Sequence, residues 1–248
     1  MDVLYQIKGA VAIITLNRPE AYNTITKNLT DRLAECMTMA EKDNNISAII
    51  LTGSGQKAFS AGLDLKVLTD DPSALSDDTY FLDSMNHRTK PLIGAINGYA
   101  ITGGFELALM CDILVASPNA IFSDTHAKVG LIPGWGLSQK LQRIIGAGRA
   151  KEMSFTAKKV DAQTALKWGL INHIYPQETL LDEALKLAND IAQHDTTFIQ
   201  KLRHVMDTGA NMSLEDSIKY EYDISVAHNK EVDYSQMNNK LQKMRAKK

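Results

Sequence analysis

The chain has 248 residues, 44% hydrophobic and 23% charged, the balance of a globular protein that buries a core without disulfide or metal staples. A formal net charge of −2 supplies no basic field to recruit nucleic acid or an anionic membrane, and no apolar run of about 18 residues is present to span a bilayer. Cys36 and Cys111 sit among apolar neighbours and read as core filling in a reducing compartment. The N-terminus enters a strand-like pattern directly, without a secretory leader, so the expected location is cytoplasmic.

In chain order, residues 3–7 and 11–16 read as two strands around a Gly9-Ala10 turn. Leu29, Leu33, Met37 and Ala40 recur on one stripe of an amphipathic helix. Residues 47–52 (SAIILT) form a short buried strand ending at Gly53-Ser54-Gly55, and 70–79 (DDPSALSDDT) is an acidic, polar loop. A strand over 92–97 leads to a glycine-rich turn over 98–104, a helix over 105–110, and short strands through 113–122. From Leu137 the pattern becomes helical. Asp161 is an N-cap with Gly169 beyond the helix end, 170–175 gives a last strand, and helices follow over 180–192, 198–210 and 214–229. The closing basic residues, Lys240 to Lys248, read as a solvated end.

Gly53-x-Gly55-x-x-Ala58 after a strand suggests a dinucleotide fingerprint. That motif needs a helix opening at the second glycine, and Gly62 interrupts any such helix here. The six histidines form no HExxH arrangement, so no metal site is read, and no Gly-x-Ser-x-Gly elbow supplies a serine nucleophile. Gly103 and Gly104 would let the backbone approach a ligand at a helix start, where free N–H groups suit negative charge developing on oxygen. Glu106 sits in that same turn. It reads equally as a catalytic carboxylate or as a plain first-turn acid.

Asn17-Arg18-Pro19, the segment 57–66 (KAFSAGLDLK), Asn97-Gly98-Tyr99-Ala100 with 103–108 (GGFELA), and 130–134 (GLIPG) together resemble the crotonase (enoyl-CoA hydratase/isomerase) superfamily, in order and over essentially the whole chain. The resemblance implies an α/β fold, a spiral of ββα repeats over 1–190 with a C-terminal helical region over 191–248 that builds a homotrimer or a dimer of trimers. It implies that Leu63 and Gly103 supply the N–H groups of an oxyanion hole, and that Leu63, Asp64, Leu65 and Lys66 line bound coenzyme A, with Lys66 or Lys57 near its phosphates. Trp135, Leu131, Phe81 and Met85 are candidates for the acyl pocket.

Hydratases of this family set two glutamates on one water. Glu106 matches the first; the second position, in 122–130 (FSDTHAKVG), is His126. Asp124 lies two residues away, with a shorter side chain that strand alternation does not guarantee the same reach. The expected reaction is hydration of an enoyl-CoA, with Glu106 and His126 as the acid/base groups, coenzyme A as part of the substrate and no separate cofactor. The alternatives are isomerisation, decarboxylation or thioester hydrolysis on the same scaffold, or acyl-CoA binding without turnover.

Overall fold

The structure, a computed structural model, describes residues 1–70 and 78–234. The basic tail from Lys240 and most of the acidic 70–79 loop lie outside the described residues. β1 (Val3–Lys8) and β2 (Val11–Leu16) pair antiparallel, as the short Gly9-Ala10 turn between them predicts. α1 (Lys27–Lys42) starts at Thr26, whose hydroxyl accepts the Leu29 N–H, and its stripe of Leu29, Leu33, Met37 and Ala40 is fully buried.

Three strand pairs then follow, each leading into a helix. β3 (Ala48–Gly53) and β4 (Ala58–Ser60) precede α2 (Leu65–Asp70) and α3 (Thr79–Asn86); β5 (Leu92–Ile96) and β6 (Tyr99–Ile101) precede α4 (Gly103–Leu109); β7 (Ile113–Ala116) and β8 (Ile121–Ser123) precede α5 (His126–Val129). After α6 (Leu137–Ile145) and α7 (Ala147–Thr156) come β9 (Val160–Asp161), α8 (Ala162–Lys167) and β10 (His173–Ile174). The first strand of each pair enters a six-stranded sheet ordered β1-β2-β3-β5-β7-β10, and the second enters a four-stranded sheet ordered β4-β6-β8-β9. Each turn of chain thus adds one parallel strand to each sheet, which is a spiral of ββα units. Strands β3 and β5 are covered on both faces, which is why they read as unbroken apolar runs.

Buried polar side chains fasten these turns. The Asn97 side-chain amide donates to the Gly55 and Ala58 carbonyls, and Asn23 donates to Ser54 and Ala58, so the 53–58 turn runs straight into β4 and no helix opens at Gly55. Arg88 pairs with Asp112 at 2.7 Å and donates to the Met110 carbonyl, while Asp112 accepts the Leu92 N–H at the start of β5.

Two expectations are corrected. The glycine-rich stretch 98–104 is not one turn: it contains strand β6, and the helix opens at Gly103 rather than 105. The strand expected over 170–175 is only His173–Ile174, because Asn172 turns its side chain to accept the Leu114 N–H.

The chain forms two compact units, Met1–Ile199 and the part from Gln200 onward. The first includes α9 (Leu180–Ala192), whose Leu180, Ala184 and Ala188 are buried. The second holds the end of α10 (Thr196–Gly209) and α11 (Leu214–Glu231), which is capped by Ser213. Among the described residues no helix is long and apolar enough to cross a membrane.

The packing of α4 on β4 turns on Gly104, where an added Cβ would stand 2.2 Å from the Ser60 carbonyl oxygen. Backbone cannot give way as a side-chain tip can. Gly104→Ala is therefore expected to destabilise the protein by about 2–3 kcal/mol, read from the urea midpoint. An unchanged midpoint would contradict this packing.

Candidate active site

Leu63 and Gly103 are brought into contact by two close backbone approaches. Leu63 forms an isolated parallel bridge with Ile25, held by Ile25 N–H to the Gly62 carbonyl and Asp64 N–H to the Ile25 carbonyl. Gly62 takes φ +91°, and a Cβ there would lie 2.7 Å from the Ile101 carbonyl oxygen and 3.3 Å from the Gly103 nitrogen. Only glycine permits both the conformation and the approach. Among the described residues, neither the Leu63 N–H nor the Gly103 N–H donates to a backbone or side-chain acceptor. The second is one of the orphan donors every helix start leaves.

The residue that aims this second N–H is Thr102, which sequence reasoning passed over. Its φ of +52° and ψ of −113° are sparsely populated for a β-branched residue. The conformation is held by Thr102 N–H to the Ser123 carbonyl at 2.9 Å, by a hydroxyl–hydroxyl bond to Thr125, and by the Thr125 N–H donating to the Thr102 hydroxyl. Nothing in a Thr-Gly-Gly string announces this geometry.

Glu106 is 3% exposed and one turn into α4. Its Oε1 accepts the backbone N–H groups of Trp135 at 2.8 Å and Leu137 at 3.3 Å, which come from the chain leading into α6. Its Oε2 lies 3.8 Å from His126 Nε2. One carboxylate oxygen is therefore fixed, and the other faces the imidazole. Burial pushes the Glu106 pKa up, and the two backbone donors together with His126 offset part of that rise.

His126 opens α5 and is 6% exposed. Its Nδ1 meets Asp124 Oδ1 at 2.7 Å, and the same oxygen accepts the His126 backbone N–H at 3.1 Å. Strand β8 ends at Ser123, so alternation does not govern these residues, and a turn brings Asp124 against the ring. Burial pushes the Asp124 carboxyl up, but hydrogen bonds from His126 and Ser154 outweigh it and hold the group below its usual value.

The other candidates are spread more widely. Asp64 accepts from Arg18 at 3.3 Å and from the Thr24 hydroxyl, an ion pair that fixes the start of α2. Leu65 and Lys66 are exposed at that start. Trp135 packs its ring 5.0 Å from Phe81 and donates its Nε1 proton to Asp78. Phe81 and Met85 are buried, whereas Leu131 is 44% exposed. The described residues contain no cluster of histidine, cysteine and acidic side chains able to hold a metal.

The profile of the Enoyl-CoA hydratase/isomerase family matches residues 6–241. A protein of Arabidopsis thaliana named "Probable enoyl-CoA hydratase 1, peroxisomal" is 40% identical over 223 residues, 88% of this chain and 84% of the relative. The mitochondrial enoyl-CoA hydratase of Pongo abelii is 38% identical over 216 residues, 86% of this chain and 74% of the relative. Among solved structures, the enoyl-CoA hydratase of Bacillus anthracis superposes with a TM-score of 0.89 at 30% identity, covering 100% of this chain and 97% of that one. The repeat-built spiral, the paired N–H donors and these matches agree: the chain belongs to the enoyl-CoA hydratase/isomerase, or crotonase, family.

Proposed function

We propose that this chain adds water across the 2,3 double bond of an enoyl-CoA thioester, giving the 3-hydroxyacyl-CoA. The observation that carries the reading is the pair of proton-handling atoms, Glu106 Oε2 and His126 Nε2, 3.8 Å apart in a buried setting. That separation lets both groups reach one water and one face of a substrate. The relatives named as hydratases support the same reaction.

In this reading the thioester oxygen sits on the N–H groups of Leu63 and Gly103, which stabilise it as it gains enolate character, by about 3 kcal/mol each. Glu106 takes a proton from water, and the water oxygen bonds to C3. The C2–C3 π electrons move toward the thioester, and the enolate collapses as His126 delivers its Nε2 proton to C2. Glu106 is left protonated and His126 neutral. One proton passing from Glu106 to His126 across the 3.8 Å gap, directly or through the next water, restores the starting state. The steps are nucleophilic addition of water and proton transfers with no net change of oxidation state, so the reading calls on neither metal nor organic cofactor.

We further propose that the chain assembles as a homotrimer or a dimer of trimers. Phe198, Leu202 and Met206 on α10, and Leu214, Ile218, Tyr222 and Val226 on α11, recur at helical spacing and are exposed. Light scattering should return a trimer or hexamer mass at micromolar protein, and a single-chain mass would overturn this assembly.

The reaction itself is tested on a panel of enoyl-CoAs by loss of the conjugated thioester absorbance, with a product heavier by one water. Glu106→Gln should lower kcat by a factor of about 10² or more with KM little changed, because glutamine keeps the shape but takes no proton. Because burial raises its pKa, the acid limb of kcat/KM should lie above the ordinary carboxylate range: as pH falls, Glu106 is protonated early and ceases to be a base. Parent-like turnover in Glu106→Gln would remove Glu106 as the base.

A further inference from the structure

We propose that Asp124 is a positioning residue, and that Asp124 and His126 together do the work of the single carboxylic acid that a second glutamate would supply. This rests on the hydration reading of the same site and extends it to a third side chain.

The geometry fixes the roles. Asp124 Oδ1, 1% exposed at the residue level, meets His126 Nδ1 at 2.7 Å. A carboxylate only accepts, so Nδ1 carries a proton and the exchangeable position is Nε2, the atom that faces Glu106. Rotating the ring would break both the Asp124 contact and the approach to Glu106. Asp124 is itself held from behind by the Ser154 hydroxyl. The charged groups facing the imidazole are thus Asp124 on one side and Glu106 on the other.

The charge count explains why a histidine here needs that partner. A glutamic acid is neutral with its proton and −1 without it. A histidine alone is +1 and 0, one unit too positive in each state. Asp124 with His126 is 0 when the imidazole holds both protons and −1 after Nε2 has given one up. The dyad therefore matches a carboxylic acid in both states, within a cluster whose three side chains are each less than a tenth exposed. There an unmatched charge is strongly disfavoured. By the same count, His126→Glu alone would place three carboxylates together, and it can work only if Asp124 is neutralised as well.

The test is a double-variant cycle with an imidazole spectrum alongside. Asp124→Asn should lower kcat about tenfold or more while KM stays near the parent value. His126→Glu should fall comparably. The double variant Asp124→Asn/His126→Glu should be at least about tenfold faster than either single variant, a non-additivity that a merely structural Asp124 does not produce. Losses that simply accumulate in the double variant would overturn the proposal. Independently of turnover, ¹H–¹⁵N spectra of the parent should show a hydrogen-bonded, downfield Nδ1 proton on His126 that Asp124→Asn abolishes. Its absence in the parent would overturn the dyad, and this arm decides alone if the double variant fails to fold. A parent that shows the Nδ1 signal but hydrates no enoyl-CoA would refute the hydration reading while upholding the dyad's geometry. Hydration by Asp124→Asn at the parent's rate would refute the dyad and leave hydration standing.

Discussion

A carboxylate as buried as Glu106 keeps a reactive anionic form only where fixed dipoles replace the water it has lost. Here those dipoles are the Trp135 and Leu137 N–H groups, which both address Oε1 and leave Oε2 turned toward His126. Much of the site depends on this asymmetry. The backbone donors immobilise the carboxylate and leave Oε2 open toward His126, and they come from the chain leading into α6, so the spiral must close correctly before this carboxylate is held.

The spiral accomplishes that by delivering successive turns to one spot. β5 and β6 lead to α4, which carries Gly103 and Glu106; β7 and β8 lead to α5, which carries His126. The parallel pairing of β6 with β8 sets the two turns in register, and the Thr102–Thr125 contact joins them just beyond the strands. The strained Thr102 backbone and the His126 ring are therefore anchored by neighbouring residues of one segment. The Gly103 N–H and the His126 ring are positioned together rather than separately.

Much of the fold was legible because burial imposes periodicity. The stripe of α1, the span of α9 and the Asp161 cap follow from side-chain pattern alone. β6 was not legible: three residues between glycines carry too short a pattern to separate a strand from a turn. At the site, the resemblance singled out Leu63, Gly103, Glu106 and His126, and the structure brings Leu63 to Gly103 and Glu106 to His126. The reach of Asp124 was left open because it follows from the bend after Ser123, which sets its carboxylate against the His126 ring and which residue identity does not announce. The donors to Glu106 are backbone groups and Thr102 acts through its dihedrals, so neither leaves a trace in residue identity.

The account's central claim is that Glu106 and His126 act from the same side of the substrate, since their reacting atoms are only 3.8 Å apart. Running the reaction on a trans-2-enoyl-CoA in D₂O and reading the C2–C3 coupling of the product by NMR tests this directly. The account predicts deuterium at C2 and the hydroxyl at C3 added to the same face. Addition to opposite faces, or a product that has gained no water, would contradict it.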